Sequence, residues 1–134
     1  MLRGVRGAAR NDASVSREAA ELIRRGQGIS GAELARALEE RALWRESLVR
    51  EMERSGVDLW ISPSAPGVAP KGLESTGDPV MNLPWTQAGL PALNLPAGKD
   101  ADGLPFGLQV VGRPTADESL LGWAASMEGV VANA

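Results

Sequence analysis

"NLPWTQAGLPALNLPAGKDADGLPFGLQVVG", from Asn82 to Gly112, decides how this chain folds. It is strongly apolar, yet it carries Leu-Pro four times, at Leu83-Pro84, Leu90-Pro91, Leu95-Pro96 and Leu104-Pro105. Proline lacks a backbone donor and interrupts regular structure. Between the interruptions, PALNLP and FGLQVVG read as two short strands bounded by turn residues. AGKDADG holds nearly all the local charge and reads as an exposed turn, so the two strands predict a hairpin with a long loop. The prolines fall where chain enters or leaves a strand, where a missing donor is tolerated.

Upstream, VDLWIS is a short run rich in β-formers, consistent with a buried strand, and PSAPGVAPKG can only be a loop. The first half reads as helical. Ser16 can cap REAAELIRR, whose last turn is basic and which Gly26 would stop. Ser30-Gly31-Ala32-Glu33 is a capping box, with the Ser30 hydroxyl on the Glu33 amide and the Glu33 carboxylate on the Ser30 amide. Residues 31–55 then predict a helix of about 37 Å, ended by Gly56. Its apolar stripe runs through Leu34, Leu38, Ala42, Val49 and Met52, and alternating Arg and Glu occupy the opposite face. Arg45 falls on the stripe, which favours a helix packed on a domain over a coiled-coil seam. Downstream, Thr115-Ala116-Asp117-Glu118 reads as a second capping box, opening a helix that Gly129 would end.

Composition excludes several chemistries. The 134 residues contain no cysteine and no histidine, which removes disulfides, thiolate or imidazole metal sites and the Ser-His-Asp triad. No metal and no cofactor is expected. A net charge of −3 argues against a general nucleic-acid binder or an acidic-membrane binder. No apolar run approaches the roughly 20 residues of a membrane span, and the cytoplasm is the expected location. The basic start, residues 1–15, reads as a tail or linker rather than a secretory signal.

Hydrolysis would need Ser with Lys, or paired carboxylates. Lys71 lies in the Pro/Gly loop and Lys99 between acidic neighbours, so both read as solvated surface lysines. Asp58 and Asp78 sit at turns without partners at telling spacing. Arg113 beside the last helix start could suggest an anion site, but capping explains Thr115 and Glu118 without a ligand. Phosphate-binding glycine motifs are absent.

The phrases N-x-P-W-T-x-x-G-L-P-A, G-L-P-x-G-L-Q and the closing D-x-x-L-L and M-E resemble the C-terminal portion of the amidase signature family. GISGAELARALEERALWR followed by DLWISPSAPGVAP is similar to the long helix, strand and Pro-rich loop that precede it there. The resemblance spans about residues 17–130 and implies an α/β fold. Residues 16–134 would be the C-terminal part of an α/β/α domain, a mixed sheet flanked by helices with the catalytic core strands missing. Its elements would be helices at about 17–25, 31–55 and 116–128, and strands at about 57–62, 91–95 and 106–111.

Members of that family hydrolyse or transfer carboxamides with a serine nucleophile, a second serine on a cis peptide and a lysine base. Nothing here matches the Gly-Gly-Ser-Ser-Gly-Gly-like signature or the lysine-bearing segment. Ser62 and Ser64 belong to the Pro-rich stretch, so no catalytic residue carries over. The correspondence makes Pro63, Met81, Asn82 and Trp85 pocket residues, although Met81 and Trp85 would serve equally as core. Gln109 reads as a buried polar group satisfied by backbone. The implied partners are a small-molecule amide in a longer protein, and either an N-terminal amidase half or a second copy of the chain. Missing sheet neighbours predict exposed apolar surface and open strand edges.

Overall fold

The computed structural model describes residues 16–131; the basic start at 1–15 lies outside them. The chain divides into two compact units, Met1–Glu39 and Glu40–Ala134. In the first, α1 (Arg17–Gln27) opens on Ser16, whose hydroxyl accepts from the Ala19 N–H at 3.2 Å. Gly26 does not end it. The helix runs one residue further, and the Gly28 N–H closes it on the Arg25 and Gly26 carbonyls. Helix α2 (Gly31–Ser55) starts at the capping box. The Ser30 hydroxyl accepts from the Glu33 N–H at 3.2 Å, and Glu33 Oε2 accepts from the Ser30 N–H at 2.8 Å. The Ser30 hydroxyl also donates to Glu33 Oε2 at 2.7 Å, and this bond first, with the Ser30 N–H second, holds the Glu33 carboxyl below its ordinary value.

In the second unit α2 ends at Gly56, which takes a left-handed φ of 63°. The Gly56 N–H meets the Glu53 carbonyl and the Val57 N–H meets the Met52 carbonyl at 3.0 Å, a Schellman closure. Strand β1 (Trp60–Pro63) starts three residues later than the periodicity suggests. Residues 64–78 hold no helix or strand. A 3-10 turn (Pro79–Met81) then leads into α3 (Leu83–Ala88), a helix that no periodicity marks because it is only six residues long and Gly89 closes it. Pro84 sits in its first turn, where a missing N–H is harmless.

Strands β2 (Ala92–Lys99) and β3 (Pro105–Val111) form the hairpin. β2 runs through part of the charged segment read as a turn, because a bulge between Pro96 and Gly98 (φ 128°) lets the strand continue. Asp100 Oδ1 accepts from the Asp102 and Leu104 N–H groups and builds the tight turn itself. The sheet order is β1-β3-β2, antiparallel throughout the described residues, so β1 and β2 present open edges.

Helix α4 (Asp117–Val131) corrects the second capping box. Thr115 adopts φ 61° and donates its hydroxyl to the Pro114 carbonyl at 2.6 Å, so it does not cap the helix. Gly129 lies inside α4 and does not end it.

Adjacent residues of a strand point to opposite faces. Val110 therefore joins Leu95, Leu120 and Ala124 under α4, while Val111 joins Ala88 and Leu90 on the other face. Leu48 of α2, Trp60 and Trp85 pack against the second cluster. The result is an α/β domain with helices on both faces of a small sheet. Met52, Val110 and Val111 are its largest fully buried side chains.

Candidate functional site

The position of α3 is set by two arginines. Arg41 Nε donates to the Gln87 carbonyl at 2.9 Å and Arg45 Nε donates to the Ala88 carbonyl. Cations at a helix C-terminus satisfy orphan carbonyls and oppose the local negative dipole. This is why Arg45 occupies the apolar stripe. Gly89 turns the chain with φ 65°, and a Cβ there would lie 2.7 Å from Arg45 Nη2.

With α3 held, the segment before it forms one wall of an open cleft of about 780 Å³. The Pro/Gly loop from Ser64 to Pro70 forms a second wall, and the hairpin residues Asn94, Pro96 and Phe106 a third. Apart from the Asp78 carboxylate, the polar side chains here are uncharged: Ser64, Thr76, Asn82 and Asn94. Asp78 Oδ1 is engaged by the Val80 N–H at 2.9 Å.

Register brings three polar residues into one row. Ser62 and Asn94 are both Cα partners of Gln109, from opposite sides of β3. Gln109 is buried, and its partners are side chains rather than the backbone expected. Its Nε2 donates to Asn82 Oδ1 at 2.6 Å, and its Oε1 accepts from the Ser62 hydroxyl at 3.3 Å. Asn82 Nδ2 reaches the Ser64 carbonyl at 3.4 Å, and Ser64 donates both its N–H and its hydroxyl to the Gly107 carbonyl. Ser62 belongs to β1, not to the Pro-rich loop.

Of the four pocket residues proposed from sequence, Asn82 lines the main cleft. Pro63 lines two smaller adjoining depressions of about 210 and 340 Å³. Met81 is half-buried beside Asn82 and lines neither the cleft nor those depressions. Trp85 stacks on Trp60 with ring centroids 6.4 Å apart, against the Ala88–Leu90–Val111 core. The buried Trp60 and Trp85 indole N–H groups have no acceptor among the described residues.

Sequence reasoning did not single out Asn94. Its side chain lies over Gly107, where a Cβ would come within 2.1 Å of Asn94 Oδ1. The available signal was a lone polar residue inside each apolar strand, in WISP, ALNLP and GLQVV. Among the described residues no cluster of acidic side chains could hold a metal, and no helix is long and apolar enough to cross a membrane.

A small sheet covered by helices, with a Pro/Gly loop and the hairpin residues Asn94, Pro96 and Phe106 walling a cleft, is an architecture shared with a solved amidase. Residues 7–121 match the amidase family, and the chain belongs to it. Over 100 residues it is 39% identical to a glutamyl-tRNA(Gln) amidotransferase subunit from Thermosynechococcus vestitus, a match covering 69% of this chain and 20% of that protein. Among solved structures, an amidase superposes with a TM-score of 0.75 at 29% identity, over 87% of this chain and 29% of the other. The 6-aminohexanoate cyclic dimer hydrolase, in its substrate complex, superposes with a TM-score of 0.63 at 26% identity, over 83% of this chain and 27% of the other. The chain spans between 15% and 20% of the length of the curated relatives it matches.

Proposed function

We propose that this chain is the C-terminal, cavity-lining part of an amidase that cleaves the C–N bond of a carboxamide by a Ser–cis-Ser–Lys mechanism. The nucleophile and lysine base then lie on polypeptide outside these 134 residues, and the chain alone is inactive. The observation that carries this reading is a family match over residues 7–121 in a chain without the Gly/Ser-rich nucleophile signature. The cleft wall, uncharged apart from Asp78, supports it, because a neutral amide is best held by neutral hydrogen-bonding groups and apolar walls. In this reading Asn82 and Pro63 face the substrate region, Met81 adjoins them, and Trp85 buttresses the wall from the core. The chemistry would be attack of an activated serine on the amide carbonyl.

A second reading, one half of a split amidase or of a protein like the glutamyl-tRNA(Gln) amidotransferase subunit, is favoured by the names of the curated relatives. Both readings are tested by mixing the purified chain with a polypeptide carrying the upstream part of such a relative. Ammonia release from simple aliphatic and aryl amides should be absent for either piece and appear on mixing. Sustained hydrolysis by the chain alone would overturn the proposal. A folded chain that binds an amide but never gains activity would indicate a non-catalytic binding module instead.

A further inference from the structure

The polar row on the cleft side of the sheet has a direction, and a single carbonyl sets it. The Ser64 main-chain carbonyl can only accept a hydrogen bond, so the Asn82 atom facing it is Nδ2. Asn82 Oδ1 then faces Gln109 and takes the bond from Nε2 at 2.6 Å. Gln109 Oε1 is left toward Ser62, whose hydroxyl must donate. Gln109 is only 6% exposed, so reversing it would set its Oε1 against Asn82 Oδ1, two acceptors facing one another, even though the Ser62 hydroxyl could turn to accept from Nε2.

We infer that Gln109 is a positioning residue that fixes the orientation of the Asn82 amide by bonding its Oδ1, so that Asn82 turns Nδ2–H toward the cleft and favours a neutral carbonyl oxygen as its ligand. The inference rests on the cleft being the amide-binding wall. One Nδ2 hydrogen is directed to Ser64 and the other remains for a ligand. The Asp78 carboxylate on the same cleft repels a carboxylate, which favours a carbonyl among oxygen acceptors.

The test uses the ¹⁵N-labelled whole chain titrated with N,N-dimethylacetamide, which accepts hydrogen bonds but has no N–H, and in parallel with acetate. The Asn82 Nδ2 protons should shift saturably with the amide and far less with acetate. Asn82→Asp keeps an acceptor for Gln109 but turns an oxygen to the cleft. It should weaken dimethylacetamide binding roughly fivefold, the value of about one net hydrogen bond, with only a small fall in melting temperature from the oxygen set against the Ser64 carbonyl. Gln109→Met frees the Asn82 amide to rotate and should weaken binding to a similar extent. Should that variant fail to fold, Asn82→Asp, an exposed position, still decides. Shifts at Asn94 and Phe106 with silent Asn82 protons, or equal affinity in all three proteins, would overturn the assigned polarity while leaving the cleft intact. No response anywhere in the cleft would sink the amide-wall reading and this inference with it.

Discussion

The two faces of the three-stranded sheet are built from alternate residues of the same strands and are put to different use. Under α4, Leu95, Val110, Leu120 and Ala124 form a wholly apolar cluster. On the opposite face, Ser62, Gln109 and Asn94 interrupt the apolar residues at a single register, and Asn94 lines the cleft. None of the four residues under α4 lines the cleft, so repacking them should leave its lining unchanged. The second face couples its stability to the geometry of its site, because each polar group there must be matched.

Breaking the α4 face should have the largest effect on stability. Leu95→Ala or Leu120→Ala, at positions 5% and 4% exposed, should each cost about 2–5 kcal/mol in urea unfolding. Ligand response of the folded fraction should stay unchanged. On the cleft face, Gln109→Met should cost about 1–3 kcal/mol, by leaving the Asn82 and Ser62 groups unpaired, and alter ligand response as well. Loss of stability with unaltered binding would erase the distinction between the faces.

The support behind the cleft is sharpened by Gly89→Ala. A left-handed alanine costs about 1–2 kcal/mol. The new Cβ would also displace Arg45 from the end of α3. Amide exchange should accelerate through residues 83–88 before the hairpin loosens. Gly107→Ala is the mildest substitution, within about 0.5 kcal/mol, because the Asn94 side chain it displaces is exposed. Its signature should be a change in the Asn94 side-chain amide resonances, with a melting temperature close to the parent's.

The smallest expected effect lies outside both faces. The Glu33 carboxyl is held below its ordinary value of 4.5 by Ser30. A depressed carboxyl pKa stabilises the fold above the unfolded value, and that contribution is lost as pH falls through the folded one. Acidification below 4.5 should therefore lower amide protection, measured against the intrinsic exchange rate at each pH, at Ser30 and Glu33 first. Early loss of the hairpin amides instead would contradict this order.

Local signals were legible where the chemistry is local. Ser16, the Ser30–Glu33 box and Gly56 each act within a few residues, and each appears as the sequence pattern suggests. Gly26, Thr115 and Gly129 carry the same kind of signal and mislead. A helix end follows from which carbonyls find donors, and tertiary packing can override a glycine. Helix α3 stayed hidden because six residues with a proline in the first turn and a glycine at the end carry no period; its capping donors, Arg41 and Arg45, come from more than 40 residues away.

The sequence by itself determined the class: helices by their apolar stripe, a hairpin by its Gly and Pro punctuation, and the family by motifs in order. It also excluded histidine and cysteine chemistry by their absence. Only the tertiary structure decided that Asn82, Gln109 and Ser62 form one directional relay, and that Trp85 turns to the core while Asn94 turns to the cleft. Those outcomes depend on strand register and on a single main-chain carbonyl, and neither leaves a trace in residue order.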